Sequence, residues 1–206
     1  VGNAALDANT TAGYNNAVGY NALSLNTTGQ YNTALGHASL QSNTTADGNV
    51  AVGTFALWSN TTGASNTAVG ALGALELNTT GSNNTGLGYN ALQANTTASN
   101  NTAVGYHSLK ANTEGHSNTA VGLNALYANT TGDRNNAIGK GSMASNTTAN
   151  DNVAMGTSSM GLNTTGADNV AMGGSALYSN STGSLNTAIG RSTLFANTTG
   201  ANNTAV

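Results

Sequence analysis

Apolar residues return along this chain at fixed places in a repeat of 17 residues. Each unit can be counted from a glycine: Gly2, Gly19, Gly36, Gly53, Gly70, Gly88, Gly105, Gly122, Gly139, Gly156, Gly173 and Gly190, with a step of 17 except for 18 between Gly70 and Gly88. Column 5 of the unit is Leu in ten units and Met in two, Met143 and Met160. Column 17 is always Val, Leu, Ile or Met. Both columns are expected to face an interior. Column 15 is Thr, Val or Asn and lies two residues before column 17, so strand alternation puts the two on one face. Its β-branched content suits a strand better than a helix. A 17-residue unit with a fixed Gly and two fixed Asn cannot hold one long helix. The unit, G-x-x-A-L-x-x-N-T-T-G/A-x-x-N-T-A-V, therefore predicts one coil of an all-β, parallel β-solenoid. Short strands are expected at "NTAV" and around "AL", with corners at Gly and "NTTG".

Twelve such coils fill residues 1–206 as a single repetitive segment, without a linker or a shift in composition. The array reads as a piece of a longer fibre protein. Two further columns bear on how it packs. Column 16 is Ala in eleven units and Gly86 in the other, and column 4 is only Ala, Ser or Thr. Constancy of that kind predicts close approach on the side away from column 17. A narrow coil would produce it; a second copy of the chain packed against the Ala face is the favoured explanation. The extra residue of the fifth coil predicts a bulge at 71–73, and Gly86 a disturbance of the small-residue face.

Asn fills columns 8 and 14 in all twelve units. Identical amides stacked one above another can donate and accept along the coil axis. Column 8 is therefore expected to be a structural ladder of Asn9, Asn26, Asn43, Asn60, Asn78, Asn95, Asn112, Asn129, Asn146, Asn163, Asn180 and Asn197. Eleven of these also head an N-x-S/T sequon: Asn9, Asn26, Asn43, Asn60, Asn78, Asn95, Asn129, Asn146, Asn163, Asn180 and Asn197. Glycosylation there is the rival reading. The exception is "NTE", which keeps Asn112 but puts Glu114 in column 10 and removes the sequon. It favours Asn as a rung over Asn as a sugar site, and it expects column 10 to face water.

The units "NTAVGYNAL", "NNAIGKGSM" and "NVAMGTSSM" resemble the head repeats of YadA-like trimeric autotransporter adhesins. The longer phrase "NTAVGY-x-A-L-x-x-N-T-T-G" is similar to repeat arrays in phage tail fibres. The resemblance covers the whole chain, although the adhesin unit is shorter. It implies a left-handed parallel β-roll, three chains side by side, and an extracellular shaft or head serving attachment. A self-assembling surface filament of segments joined end to end is the alternative.

Composition narrows the chemistry. Charged residues are only 5% of the chain, the net charge is −3, and Cys and Pro are absent. Four Lys and Arg cannot neutralise many phosphates, so nucleic acid is not an expected partner. No apolar run approaches the ~20 residues that span a bilayer, so direct membrane insertion is not expected. His37, His107 and His116 fall in three different columns, and the acids Asp47, Asp133, Asp151 and Asp168 in a variable polar stretch. The expectation is no enzyme, no cofactor and no metal site. The expected partners are copies of the chain and a cell-surface glycan or protein receptor reached by outward aromatics such as Tyr20, Tyr89, Tyr106, Trp58, Tyr127, Tyr178 and Phe195. An ice-binding solenoid is a lesser alternative, because "TT" puts adjacent Thr on opposite faces of an extended segment.

Overall fold

A computed structural model describes residues 2–206. It divides into two compact units, Val1–Asn101 and Thr102–Val206. The division falls inside a repeat, and both units are built from the same coil. The first carries β1 (Asn16–Val18), β2 (Thr33–Leu35), β3 (Val50–Val52), β4 (Thr67–Val69) and β5 (Thr85–Leu87). The second carries β6 (Thr102–Val104), β7 (Thr119–Val121), β8 (Asn136–Ile138), β9 (Val153–Met155), β10 (Val170–Met172), β11 (Thr187–Ile189) and β12 (Thr204–Ala205). Within each unit the strands pair in chain order, parallel and in register, column on column. No helix occurs among the described residues. Each unit is a parallel β-solenoid, as the repeat predicts, but with one strand per coil rather than two.

The interior is one side chain deep, and its occupants correct the sequence reading. Column 5 is inside: Leu23, Leu40, Leu57, Leu109, Leu126 and Met143 are fully buried. Column 17 is not. Val18 and Leu35 are each 47% exposed, and Ile189 is 40% exposed. Column 16 takes the inner side of the strand, with Ala51, Ala68, Ala137 and Ala154 fully buried. Columns 15 and 17 do share a face, but it is the outer one. The physical reason is visible at Gly86, where an added Cβ would lie 3.2 Å from Ala91 O of the next coil and 3.4 Å from Leu75 Cγ. The strand thus lies directly over the column 5 side chain. Only a methyl fits between them, and a larger residue would overpack. The constancy of Ala records the tightness of one coil rather than the approach of a second chain.

The "AL" segment is the other departure. It is a turn, not a strand, because columns 3 and 5 are left-handed: Asn21 and Leu23 have φ of 54°, and His107 and Leu109 have 56° and 49°. A branched or bulky residue in that region costs about 1–2 kcal/mol. Burying a whole Leu side chain returns about 1.5–3 kcal/mol, which offsets it. The segment still bonds coil to coil. Leu23 N–H donates to Ser39 O at 3.0 Å, and Leu126 N–H to Ser142 O at 3.0 Å. Short turns brace it within the coil, Ala22 N–H to Gly19 O at 3.3 Å and Asn26 N–H to Leu23 O at 3.3 Å.

The fifth coil has its bulge where expected. Ala71 and Leu72 project outward, Leu72 at 49% exposure, and Gly73 turns the chain back at φ 85°. Leu75 then re-enters the core one residue late. Column 16 is crowded here from the next coil: a Cβ on Gly86 would lie 3.2 Å from Ala91 O, with Leu75 Cγ at 3.4 Å. Gly86→Ala alone is expected to cost about 1 kcal/mol by denaturant titration, since the new methyl would press on Ala91 O, 3.2 Å from its position. Deleting Leu72 as well should recover that loss by restoring the regular spacing. A double variant no more stable than Gly86→Ala would contradict this coupling.

Candidate functional site

The most repetitive side chains form two buried amide ladders. Column 8 closes the tight "NTTG" turn: Asn60 Nδ2 donates to Gly63 O at 2.9 Å. Its second hydrogen donates to Asn43 Oδ1 on the preceding coil at 3.0 Å, and Asn60 Oδ1 accepts from Asn78 Nδ2 at 2.8 Å. The same bonds recur in the second unit, with Asn146 donating to Asn129 at 2.8 Å and Asn180 to Asn163 at 2.9 Å. Column 14 works differently. Asn32 Oδ1 accepts the backbone N–H of Asn49 at 2.9 Å, while Asn49 Nδ2 reaches Gly63 O at 3.0 Å. The column 11 carbonyl therefore receives one amide from each ladder. The column 11 carbonyl, the column 14 N–H and the amides themselves are thus satisfied where water does not reach, which explains the absence of any substitution.

This placement bears on the sequons. Asn26, Asn43, Asn60, Asn78, Asn95, Asn129, Asn146, Asn163 and Asn180 are fully buried, and Asn9 and Asn197 partly so. Beyond Asn9, whose Nδ2 bonds to Ala12 O of the turn, their Nδ2 atoms, where a sugar would attach, are committed to both turn and ladder, so the folded coil has no room for one. Peptide mapping of folded protein from a glycosylating host is expected to find these Asn bare. Sugar at Asn60 in a natively folded sample would refute the packing described. At "NTE" the ladder continues: Asn112 Nδ2 donates to Gly115 O at 2.9 Å and Asn112 Oδ1 accepts from Asn129 at 2.8 Å. Glu114 is exposed, as are Thr28, Thr62, Thr131 and Thr165 in the same column. The preceding Thr column is half-buried, its hydroxyls donating to the next coil, as Thr27 does to Thr44 O at 3.0 Å. The two Thr of each pair thus differ in setting, and the exposed array is one residue wide.

Ionisable groups are sparse and superficial. Arg134 grips Asp151 on the next coil in a bidentate pair, Nε to Oδ1 at 2.7 Å and Nη2 to Oδ2 at 2.8 Å. The guanidinium holds the Asp151 carboxyl below its ordinary value of 3.8. Any stability from this pair is present above that value and fades as the pH falls through the lowered one. Exposure keeps the contribution small. Burial, then the nearby Lys110, lowers the His107 pKa. Asp47 and Asp133 accept backbone N–H groups of Gln30 and His116 one coil away, each at 2.7 Å. Among the described residues no group of three His, Asp or Glu could hold a metal ion. No helix among them is long and apolar enough to cross a membrane.

Two outward features remain. One is the uncharged stripe of columns 15 and 17, in which Thr, Val or Asn stands beside Val, Leu, Ile or Met. The sequence reading missed it by sending column 17 inside. The available signal was size: column 17 runs freely from Val to Met, whereas column 16 never exceeds a methyl. The other is a set of ring contacts between coils. Tyr20 stacks on His37 with centroids 5.6 Å apart, and His37 meets Phe55 edge-on at 5.2 Å. Phe55 meets Trp58 edge-on at 5.8 Å. Tyr178 stacks on Phe195 at 5.2 Å, and Lys110 Nζ lies 5.9 Å from the Tyr127 ring centroid. No protein family, curated protein or solved structure matches the chain, so its function is read from these surfaces alone.

Proposed function

We propose that the chain is a rigid repetitive segment, shaft or head, of an extracellular fibre that serves attachment, with three copies lying side by side. The observation that carries this reading is the outward stripe on the strands. Columns 15 and 17 contain no charged residue in any coil. Val69, Ile138, Met155 and Met172 are each 37–39% exposed there. A row of large apolar side chains open to water marks a contact surface. A copy of the same chain fits it best, because only a partner with the same coil spacing brings its ridges into phase over coil after coil. Long, flexible Met and Leu in the stripe suit an interdigitating protein contact better than a flat lattice of ice. Within each unit, rigidity follows from the ladders, which tie neighbouring coils through side chains as well as backbone.

Light scattering of the native protein tests the reading. A particle of three chains, each 20.3 kDa, is expected. Replacing Ile138 and Met155 together by Lys should release monomers without unfolding them, since both side chains point outward. An open polymer would favour the end-to-end filament instead. A monodisperse monomer at high concentration would refute lateral association.

A further inference from the structure

The ring cluster on the first unit has a composition of its own. Tyr20, His37, Phe55 and Trp58 make a continuous run over three successive coils, with Tyr20 51% and Trp58 38% exposed. Planar hydrogen-bonding groups flank it in column 6. Trp58 Nε1 donates to Gln41 Oε1 at 2.9 Å, and two coils further on Gln93 Nε2 donates to Glu76 Oε2 at 2.7 Å. We infer that this surface binds a neutral glycan, laid along the coil axis with its sugar rings against Tyr20 and Trp58. The inference rests on the attachment reading above and names the surface and the ligand class.

Three observations select that occupant. Residues 1–101 contain no Lys or Arg at all, and their only formal charges are Asp7, Asp47 and Glu76. A nucleic acid, a sulfated glycan or an acidic protein would find no cation there, only repulsion. Aromatic faces beside an amide and a carboxylate match a sugar, which presents C–H groups on one face and paired hydroxyls at its rim. Finally, coils advance by ~4.8 Å, about the length of one pyranose in an extended glycan, so equivalent columns can meet successive sugars. The Tyr14–Tyr31 pair lacks this character. Its stacked rings, 5.0 Å apart, stand in column 13, outside the surface of columns 2, 3 and 6 that carries the amide and carboxylate.

Trp58 is the only tryptophan, so its emission reports this surface directly. The full chain is titrated in turn with hydroxyethylcellulose, laminarin, galactomannan, heparin and polylysine. A saturable shift with at least one of the three neutral polymers, and none with heparin or polylysine, is expected. Tyr20→Ala should weaken that response about tenfold, while Tyr14→Ala leaves it unchanged. Both columns accept small residues in other coils, so neither variant should unfold. No response to any neutral polymer overturns the inference, as does equal behaviour of the two variants. A response to polylysine alone also overturns it, in favour of a basic protein partner. Native mass is recorded on the same samples. A monomer that binds glycan would sink the trimer and leave this surface standing; a trimer that ignores all three polymers would do the reverse.

Discussion

Gly156→Ala should disrupt the second unit, at a cost above about 4 kcal/mol, the range reserved for gross steric conflict. Gly156 sits at φ 138°, and a Cβ built there would lie 2.6 Å from both C and O of Gly173 and 2.9 Å from Gly174 N. Those atoms are backbone of the next coil and cannot swing aside. Relief requires parting two coils, which breaks the strand pairing and the amide ladders at once. Gly48→Ala supplies the contrast. Its φ is 68°, and the nearest atom is Ser65 Oγ at 3.8 Å. The same column holds Tyr14, Ser65 and Asp151 at φ of 61°, 57° and 59°, so side chains are already accepted there. That change should cost no more than about 1–2 kcal/mol. Denaturant midpoints compare the two, and hydrogen exchange shows whether the loss is confined to neighbouring coils, as nearest-neighbour stacking requires. Equal effects at the two glycines would overturn the account of the corner.

Asn60→Ala is the second large effect expected, about 2–4 kcal/mol. It removes two ladder bonds and leaves Asn43 Oδ1 and the facing hydrogen of Asn78 Nδ2 buried without those partners. Gly63 O keeps its bond from Asn49, which limits the damage. Asn60→Asp separates hydrogen bonding from mere volume. A carboxylate would face Asn43 Oδ1 with no proton to offer, in a site closed to water. Its folded pKa must rise above the unfolded value of about 3.9. The penalty is then absent below that value and grows as the pH rises toward the folded pKa. Stability of Asn60→Asp should therefore improve on acidification, while Asn60→Ala stays flat. A loss under about 1 kcal/mol for Asn60→Ala would mean that the ladder is incidental to stability.

How much of this was legible beforehand differs column by column. The invariance of Asn at columns 8 and 14 announced a ladder correctly, because a stacked amide has few substitutes. The extra residue at 71–73 and Gly86 were readable as one disturbance, since a repeat makes its own exceptions visible. The exposure of column 10 followed from a single Glu. Direction was harder. Strand alternation tied column 15 to column 17 but carried no information about which face of the strand met the core. Hydrophobicity pointed column 17 inward, as it would in a wider coil. The rings of columns 2, 3 and 6 looked scattered, because residues one coil apart become neighbours only after stacking.

The sequence by itself determined the repeat, the parallel coil, its in-register stacking and the buried Asn rungs. Each follows from a period of 17 and from groups that must be satisfied on every turn. Only the tertiary structure decided which side of the strand is inside. Left-handed residues at columns 3 and 5 fold the turn so tightly that Leu or Met alone fills the coil. A strand pressed against that single layer can offer it nothing larger than Ala. The larger apolar side chains are thereby turned outward, and the surface they form is set by the width of the coil rather than by their hydrophobicity.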